Sequence, residues 1–308
     1  MAQSLKNGAV SAVEATVVEL PARRSRAHAA IVLVRPRQWT KNLLLFAGIV
    51  FAARIDDPRR WLDACIAFVA WCLASGAAYV VNDLRDVEAD RRHPVKRWRP
   101  LARRELTEAE AGILAATLVV VAVALVAPLG LRSLGCLAAF LAIQLAYTLV
   151  LKRLVLVDVV TISMLFVLRA AAGAIAVSVR ISPWLLVCTG LLALFLALGK
   201  RRAELSVGHG SRAVLKGYDL ALVDQLLTVV AGSTIVVYAL YTLTAARQSA
   251  ALVATIPFVV VGVFRYILLL RRTTRGEEPE NILLGDPTIL VAVVGWIAVA
   301  AAIVFVTR

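Results

Sequence analysis

The sequence predicts an all-α, polytopic membrane protein, and three observations carry that prediction. Apolar residues make up 61% of the 308 positions and charged residues 18%, where soluble chains hold roughly 45–50% and 25%. The mean hydropathy is +0.83, more apolar surface than one water-facing core could hide. Apolar stretches long enough to cross a bilayer, about 20 residues each, recur along the chain with polar breaks between them. Together these exclude a soluble enzyme, a disordered chain and a disulfide scaffold. Cys65, Cys72, Cys136 and Cys188 all fall inside apolar stretches without zinc-ligand spacing, so they read as packing residues.

The elements follow in order. Residues 1–27 are polar and mixed, without the apolar run of roughly 7–15 residues that a secretory signal needs. They predict a flexible cytoplasmic tail ahead of one membrane domain over 28–308. Nine spans are expected, at 28–53, 62–82, 109–129, 133–151, 156–178, 182–199, 222–245, 251–270 and 287–306. The first is interrupted by Arg35-Pro36-Arg37-Gln38-Trp39-Thr40-Lys41, so its front half is expected at the interface. Of the 34 Lys and Arg residues, 25 fall in the segments on the N-terminal side, 7 on the other, and Arg169 and Arg265 within spans. Cytoplasmic loops carry the positive excess, which predicts an inner (plasma) membrane protein with its N-terminus inside and its C-terminus outside. The long, charged loops 83–108 and 200–221 then face the cytoplasm, and the chemistry with them. A net charge of +14 is accounted for by those loops and by a site for anionic substrates, and no nucleic-acid partner is expected. Small residues on several faces are compatible with a homo-oligomer of unspecified size.

The sharpest local feature is Asn82-Asp83-Leu84-Arg85-Asp86-Val87-Glu88-Ala89-Asp90 at the cytoplasmic end of the second span. At about 100° per residue, Asp83, Asp86 and Asp90 lie within about 60° of one another on a helix, with Glu88 pointing elsewhere. Acids crowded on one face repel unless a cation sits among them, and their oxygens suit Mg²⁺. A solvated helix end, with the acids paired to Arg85, Arg91 and Arg92, is the competing explanation. The basic run His93-Pro94-Val95-Lys96-Arg97-Trp98-Arg99-Pro100 that follows favours the metal, since acids for Mg²⁺ beside cations for phosphate oxygens is what a diphosphate requires.

Asn82-Asp83-x-x-Asp86-x-x-x-Asp90 followed by His93-Pro94-x-Lys96-x-x-Arg99-Pro100 resembles the first aspartate motif of the UbiA superfamily of intramembrane prenyltransferases. The resemblance covers roughly residues 30–306 and implies nine helices around a central cavity open to the cytoplasm, with Mg²⁺ held by Asp83, Asp86 and Asp90. Typical members carry a second aspartate motif after the sixth helix. Here that stretch reads Leu198-Gly199-Lys200-Arg201-Arg202-Ala203-Glu204-Leu205, one carboxylate among cations, which exchanges metal binding for direct binding of anions. With Arg35-Pro36-Arg37-Gln38-Trp39-Thr40-Lys41-Asn42, the chain is similar to the branch of the family that uses decaprenyl phosphate as a phosphoribosyl acceptor. That implies a donor, 5-phosphoribosyl 1-diphosphate, a polyprenyl (decaprenyl) monophosphate acceptor in the membrane lipid, and a product that is a precursor of the arabinose donor for mycobacterial-type cell walls.

Three anionic groups then need holders. The candidates are Gln38 and Lys41 near the lipid phosphate, Asn82, Lys96 and Arg99 beside the acids, and Lys200, Arg201, Glu204, Arg212 and Tyr218 around the second long loop. Any one of these cations also has a plain explanation in positive-inside topology or contact with anionic lipid. Tyr147, Lys152 and Asp158 bracket the turn between the fourth and fifth spans. Asp158 and Arg169 lie about 16 Å apart along one helix, too far to pair with each other. Each is expected to find another partner inside the bundle, as a structural pair or with Asp158 at the ribose hydroxyls or metal and Arg169 deeper in the cavity. Gly173 is expected to permit close helix packing, and His93 to be a turn residue. The competing functions are an aromatic or haem prenyltransferase and, from another class, a transporter of an anionic solute.

Overall fold

The computed structural model describes residues 23–51, 56–206, 213–244, 250–272, 282 and 285–306. Among these residues there are helices and no strands. They are α1 (Arg26–Val34), α2 (Ala47–Phe51), α3 (Pro58–Arg85), α4 (Val87–Arg92), α5 (Glu108–Val126), α6 (Leu131–Leu149), α7 (Val157–Ala176), α8 (Pro183–Ser206), α9 (Leu220–Thr244), α10 (Ile256–Arg272) and α11 (Pro287–Val306), joined by short 3₁₀ turns. Seven of these helical stretches, Pro58–Arg85, Glu108–Leu129, Leu131–Leu149, Val157–Ala176, Pro183–Ser206, Leu220–Thr244 and Ala251–Arg272, are long and apolar enough to cross a bilayer. The last helix, Pro287–Val306, is also apolar.

The helix starts are written locally. Ser25 caps α1 through His28 N–H, Asp57 caps α3 ahead of Pro58, and Thr107 and Glu110 form a complete capping box on α5, each satisfying amide groups that a helix start leaves open. Ser25 at that cap starts α1 at Arg26, inside the tail expected over 1–27, and Arg24 is already tied to Glu105 by a 3.0 Å ion pair.

The interruption expected in the first span lies at Arg35. Residues 28–51 do not form one helix. Arg35 adopts a left-handed backbone (φ 56°, ψ 64°), α1 ends there, and Pro36–Phe46 continues as a 3₁₀ helix into α2. The cause is Pro36, which lacks an N–H and keeps the preceding residue out of the α region. This broken element lies backbone to backbone on α7. A Cβ on Gly173 would come within 2.0 Å of the Leu45 carbonyl oxygen, and one on Gly48 within 2.7 Å of Ala174 Cα.

Helices α3 and α7 form the centre: 56% of the apolar window of each is buried, against 17–28% for the other five. Around them Trp71 of α3 stacks on Phe140 of α6 with ring centroids 4.6 Å apart, and Phe195 of α8 meets Tyr266 of α10 at 5.2 Å. The outer faces stay apolar, with Val120, Met164, Leu243 and Val291 all exposed, as lipid-facing side chains are. The central position of α3 and α7 brings the last turn of one and the first turn of the other to the same end of the bundle. Substituting Gly173→Ala should lower the thermal midpoint in detergent, at a cost of about 1–3 kcal/mol for overpacking. Gly112→Ala, whose added Cβ meets nothing within 4 Å, should leave the midpoint unchanged or raise it slightly.

Candidate active site

The aspartate motif straddles a helix break. α3 carries Asn82 and Asp83 in its last turn and ends at Asp86, whose backbone (φ −99°, ψ 6°) is no longer helical, and α4 restarts at Val87. The acids that spacing places on one narrow face are therefore divided between two sets of partners. Asp83 (2% exposed) and Asp90 (4%) are buried together. Arg99 bridges them, its Nη1 donating to Asp83 Oδ1 at 3.1 Å and to Asp90 Oδ2 at 2.7 Å. Arg35 adds a second donor to Asp83 Oδ1 at 2.6 Å while its guanidinium lies 5.0 Å from the Tyr79 ring centroid. Asp86 faces Lys152 from the turn before α7, whose Nζ donates to both carboxylate oxygens at 2.9 and 2.8 Å and to Asn82 Oδ1 at 3.2 Å. Among the described residues no three His, Cys, Asp or Glu side chains converge as a metal cluster.

Charge and burial pull on these groups in opposite directions. Burial pushes the Asp90 carboxyl above the ordinary carboxylate range despite the pull of Arg99 and Lys96, because taking a charge out of water favours its neutral form. Burial and the nearby Lys96 hold His93 below the usual imidazole value. Its Nδ1 accepts from the amides of Val95 and Lys96 at 3.1 and 3.2 Å, so His93 is the turn residue the sequence suggests. Glu88 is exposed and pairs with Arg91. The loop after α4 is pinned by Glu105, nearly fully buried and bonded to Arg24 and Arg103, and Trp98 lies under the guanidinium groups of Arg97 and Arg103.

A second polar cluster sits one step along the chain from Lys152. Asp158, in the first turn of α7, is completely buried. Its Oδ2 accepts from Arg201 Nε at 2.7 Å and its Oδ1 from the Tyr218 hydroxyl at 2.7 Å. The Leu156 amide donates to that hydroxyl at 2.7 Å, with Leu156 itself at φ 67°. Arg201 also pairs with Glu204, and Tyr147 is its electrostatic neighbour. Burial and the Asp158 carboxylate push the Tyr218 phenol above its usual value. Both Asp158 oxygens accept from protein donors, so of the two expectations for this residue the structure contains the pairing inside the bundle, and a residue without exposure serves as an anchor. Arg202 extends the frame, bonding Asp224 of α9 at 2.6 Å and the Leu270 carbonyl of α10 at 2.7 Å.

The structure brings Asn82, Asp83, Asp86, Asp90, Arg99 and Lys152 together, with Lys96 acting on Asp90 through space. Gln38 and Lys41 occupy the 3₁₀ segment that follows Arg35. Lys200 sits half-buried in α8. Arg212 lies outside the described residues. Arg169 belongs to neither cluster. It is held deeper in the bundle by Asn42 Oδ1 at 2.8 Å and the Leu165 carbonyl at 2.9 Å, between the rings of Phe140 and Phe166. Two residues escaped the sequence reading as site members. Arg35 was visible only as part of the charged interruption of the first span, and Glu105 had no signal beyond being an acid in a basic loop.

Comparison with known proteins gives the family and the fold. The UbiA prenyltransferase family model matches residues 43–284. A decaprenyl-phosphate phosphoribosyltransferase of Mycolicibacterium smegmatis is 35% identical over 298 residues, covering 89% of this chain and 92% of its own length. The protein of the same description from Corynebacterium glutamicum is 32% identical, covering 89% and 86%. Among solved structures, a UbiA homologue from Archaeoglobus fulgidus bound to GPP and Mg²⁺ superposes with a TM-score of 0.68 at 18% identity, covering 89% of this chain and 99% of that one. With its motif, its helical bundle and its relatives in agreement, this multi-pass membrane chain belongs to the UbiA prenyltransferase family.

Proposed function

We propose that this protein transfers 5-phosphoribose from 5-phosphoribosyl 1-diphosphate to a polyprenyl phosphate, decaprenyl phosphate in the first instance, and releases diphosphate. The observation that carries the reading is the match at 35% identity, along nearly the full length of both chains, to relatives described as decaprenyl-phosphate phosphoribosyltransferases. The site chemistry agrees with it: four oxygen-bearing side chains and four cations, Arg35, Lys96, Arg99 and Lys152, stand at one helix end. In this reading the membrane is the plasma membrane, residues 28–308 form one domain, and the site and the N-terminus face the cytoplasm. The excess of Lys and Arg in the loops on that side supports that orientation.

The donor set fits Mg²⁺. Asn82, Asp83, Asp86 and Asp90 offer only hard oxygen ligands, and one cation, the Lys152 ammonium, already bridges Asn82 Oδ1 and both Asp86 oxygens. When bound there, Mg²⁺ supplies Lewis-acid stabilisation of the departing diphosphate. The chain's own residues do the rest. Arg35, Arg99, Lys96 and Lys152 neutralise phosphate oxygens and hold the donor by charge-assisted hydrogen bonds. An oxygen of the lipid phosphate attacks ribose C1 as the bond from C1 to the diphosphate oxygen breaks, so that a phosphodiester forms and diphosphate leaves. A phosphate monoester has a second pKa near ~6 and is already an anion at neutral pH, so the residues need not remove a proton. Catalysis is positioning and electrostatics. The second cluster, Asp158, Arg201 and Tyr218, holds the ends of α7 and α8 in register behind this site.

Incubating the purified protein with Mg²⁺, labelled phosphoribosyl diphosphate and decaprenyl phosphate should yield label in the lipid extract. Transfer from a prenyl diphosphate to an aromatic ring, or solute flux into liposomes without product, would overturn the proposal. Asp86→Asn is the clean probe, because Asp86 is partly exposed while Asp83 is itself buried against Arg35 and Arg99. It should lower turnover about 100-fold without changing the thermal midpoint, and chelating divalent ions should abolish turnover in the unaltered protein. The anchor behaves differently. Asp158→Ala leaves the Arg201 charge buried and should cost stability of about 3–5 kcal/mol. Tyr218→Phe should lower the midpoint slightly while KM for the donor stays at its original value.

A further inference from the structure

Each acid of the motif is already neutralised from within. Asp83 takes Arg35 and Arg99, Asp90 takes Arg99, and Asp86 takes Lys152. These are three carboxylates and three cations, drawn from the break after α1, the loop after α4 and the turn before α7. The bonds are made by the same oxygens that a divalent ion needs as ligands. A carboxylate oxygen whose lone pairs accept from a guanidinium or ammonium at 2.6–3.1 Å cannot meet a metal ion in the same direction. Metal binding and internal pairing therefore compete. Diphosphate works in the other sense, because its oxygens are the natural acceptors of the cations that a metal ion displaces.

We propose that Arg35, Arg99 and Lys152 are exchangeable counterions: they neutralise Asp83, Asp90 and Asp86 until metal and diphosphate enter together, and then turn from the carboxylates to the phosphate oxygens. The exchange keeps the site near neutrality in both arrangements, which matters where Asp83 and Asp90 are 2% and 4% exposed and an uncompensated charge is costly. It also makes the metal ion alone a poor ligand and the metal–diphosphate pair a good one. Lys152 is suited to this role. Its ammonium is a point charge on a flexible stem, it comes from the Leu151–Arg153 turn, and it can swing without moving α3 or α7. Arg35, held at φ 56°, is placed by a backbone conformation that non-glycine residues adopt at an energetic cost. The inference rests on reading these acids as the metal–diphosphate site.

The test separates two ligands. Mn²⁺ is titrated into purified protein with no donor and detected by electron paramagnetic resonance. In a second series, phosphoribosyl diphosphate is titrated at saturating Mn²⁺. In Lys152→Ala and Arg99→Gln the affinity for Mn²⁺ alone should rise about tenfold while the affinity for the donor falls about tenfold, the scale of one charge-assisted bond in each direction. Lys152→Arg keeps the charge and should hold both constants within about threefold of the original protein, which guards against a folding defect in the alanine variant. Unchanged or weaker Mn²⁺ binding in both charge-removing variants overturns the exchange, as does unchanged or tighter donor binding. If the original protein does not bind phosphoribosyl diphosphate at all, the proposed function falls, while tighter Mn²⁺ binding in the variants would still support the competition for the acids.

Discussion

The arrangement depends on one constraint: carboxylates buried at the end of an apolar helix bundle must be neutralised. Asp83 and Asp90 are sequestered from water at the end of α3 and in α4, and Arg99 answers both of them through one nitrogen. An ionised acid without a partner in such surroundings would cost several kcal/mol. The counter-charge is not local. It comes from the far side of a helix break, from the loop after α4 and from the turn before α7, so satisfying the acids also fixes how these segments sit on the bundle. Electrostatic neutrality and tertiary assembly are here the same requirement.

The break after α1 serves this requirement. A continuous helix through residues 28–53 would carry Arg35 past the end of α3 on a regular spiral. Pro36 interrupts it, the left-handed turn at Arg35 aims the guanidinium at Asp83, and the remaining chain lies flat on α7. Close approach at Gly48 and Gly173 makes that possible, because backbone meets backbone where a side chain would stand. Arg169 holds the same element one turn away by bonding Asn42. At the start of α7 Asp158 gathers Arg201 and Tyr218, and through them α8 and the approach to α9. The elements that carry the site are thus held by pairs that are themselves buried.

Much of this was legible beforehand, and the exceptions have physical causes. The helical spans from the second onward appear close to where hydropathy places them, since a bilayer-length apolar run has few alternatives to a helix. The Asp83, Asp86 and Asp90 motif stood out because acids at that spacing beside a basic loop are electrostatically unusual. Lys152 was visible as a charge beside the turn between two spans, although its bond to Asp86 was not. The failures came where local rules meet distant partners. A helical wheel assumes that the helix continues, and it ends at Asp86. Asp158 was expected either in a structural pair or at a ligand, and nothing local shows that its protein partners lie 43 and 60 residues away. Arg35 looked like an interfacial charge, and Glu105 like one acid among bases.

Composition and spacing in the chain settled the membrane class, the spans and the cluster of acids and bases at one helix end, because hydrophobic length and local charge density act within a few turns of a helix. Which base meets which acid, which residues are spent on the frame, and how the first span bends were decided by packing. Those outcomes depend on segments tens of residues apart arriving at the same place, and on the cost of leaving any charge among them unanswered, which no local pattern encodes.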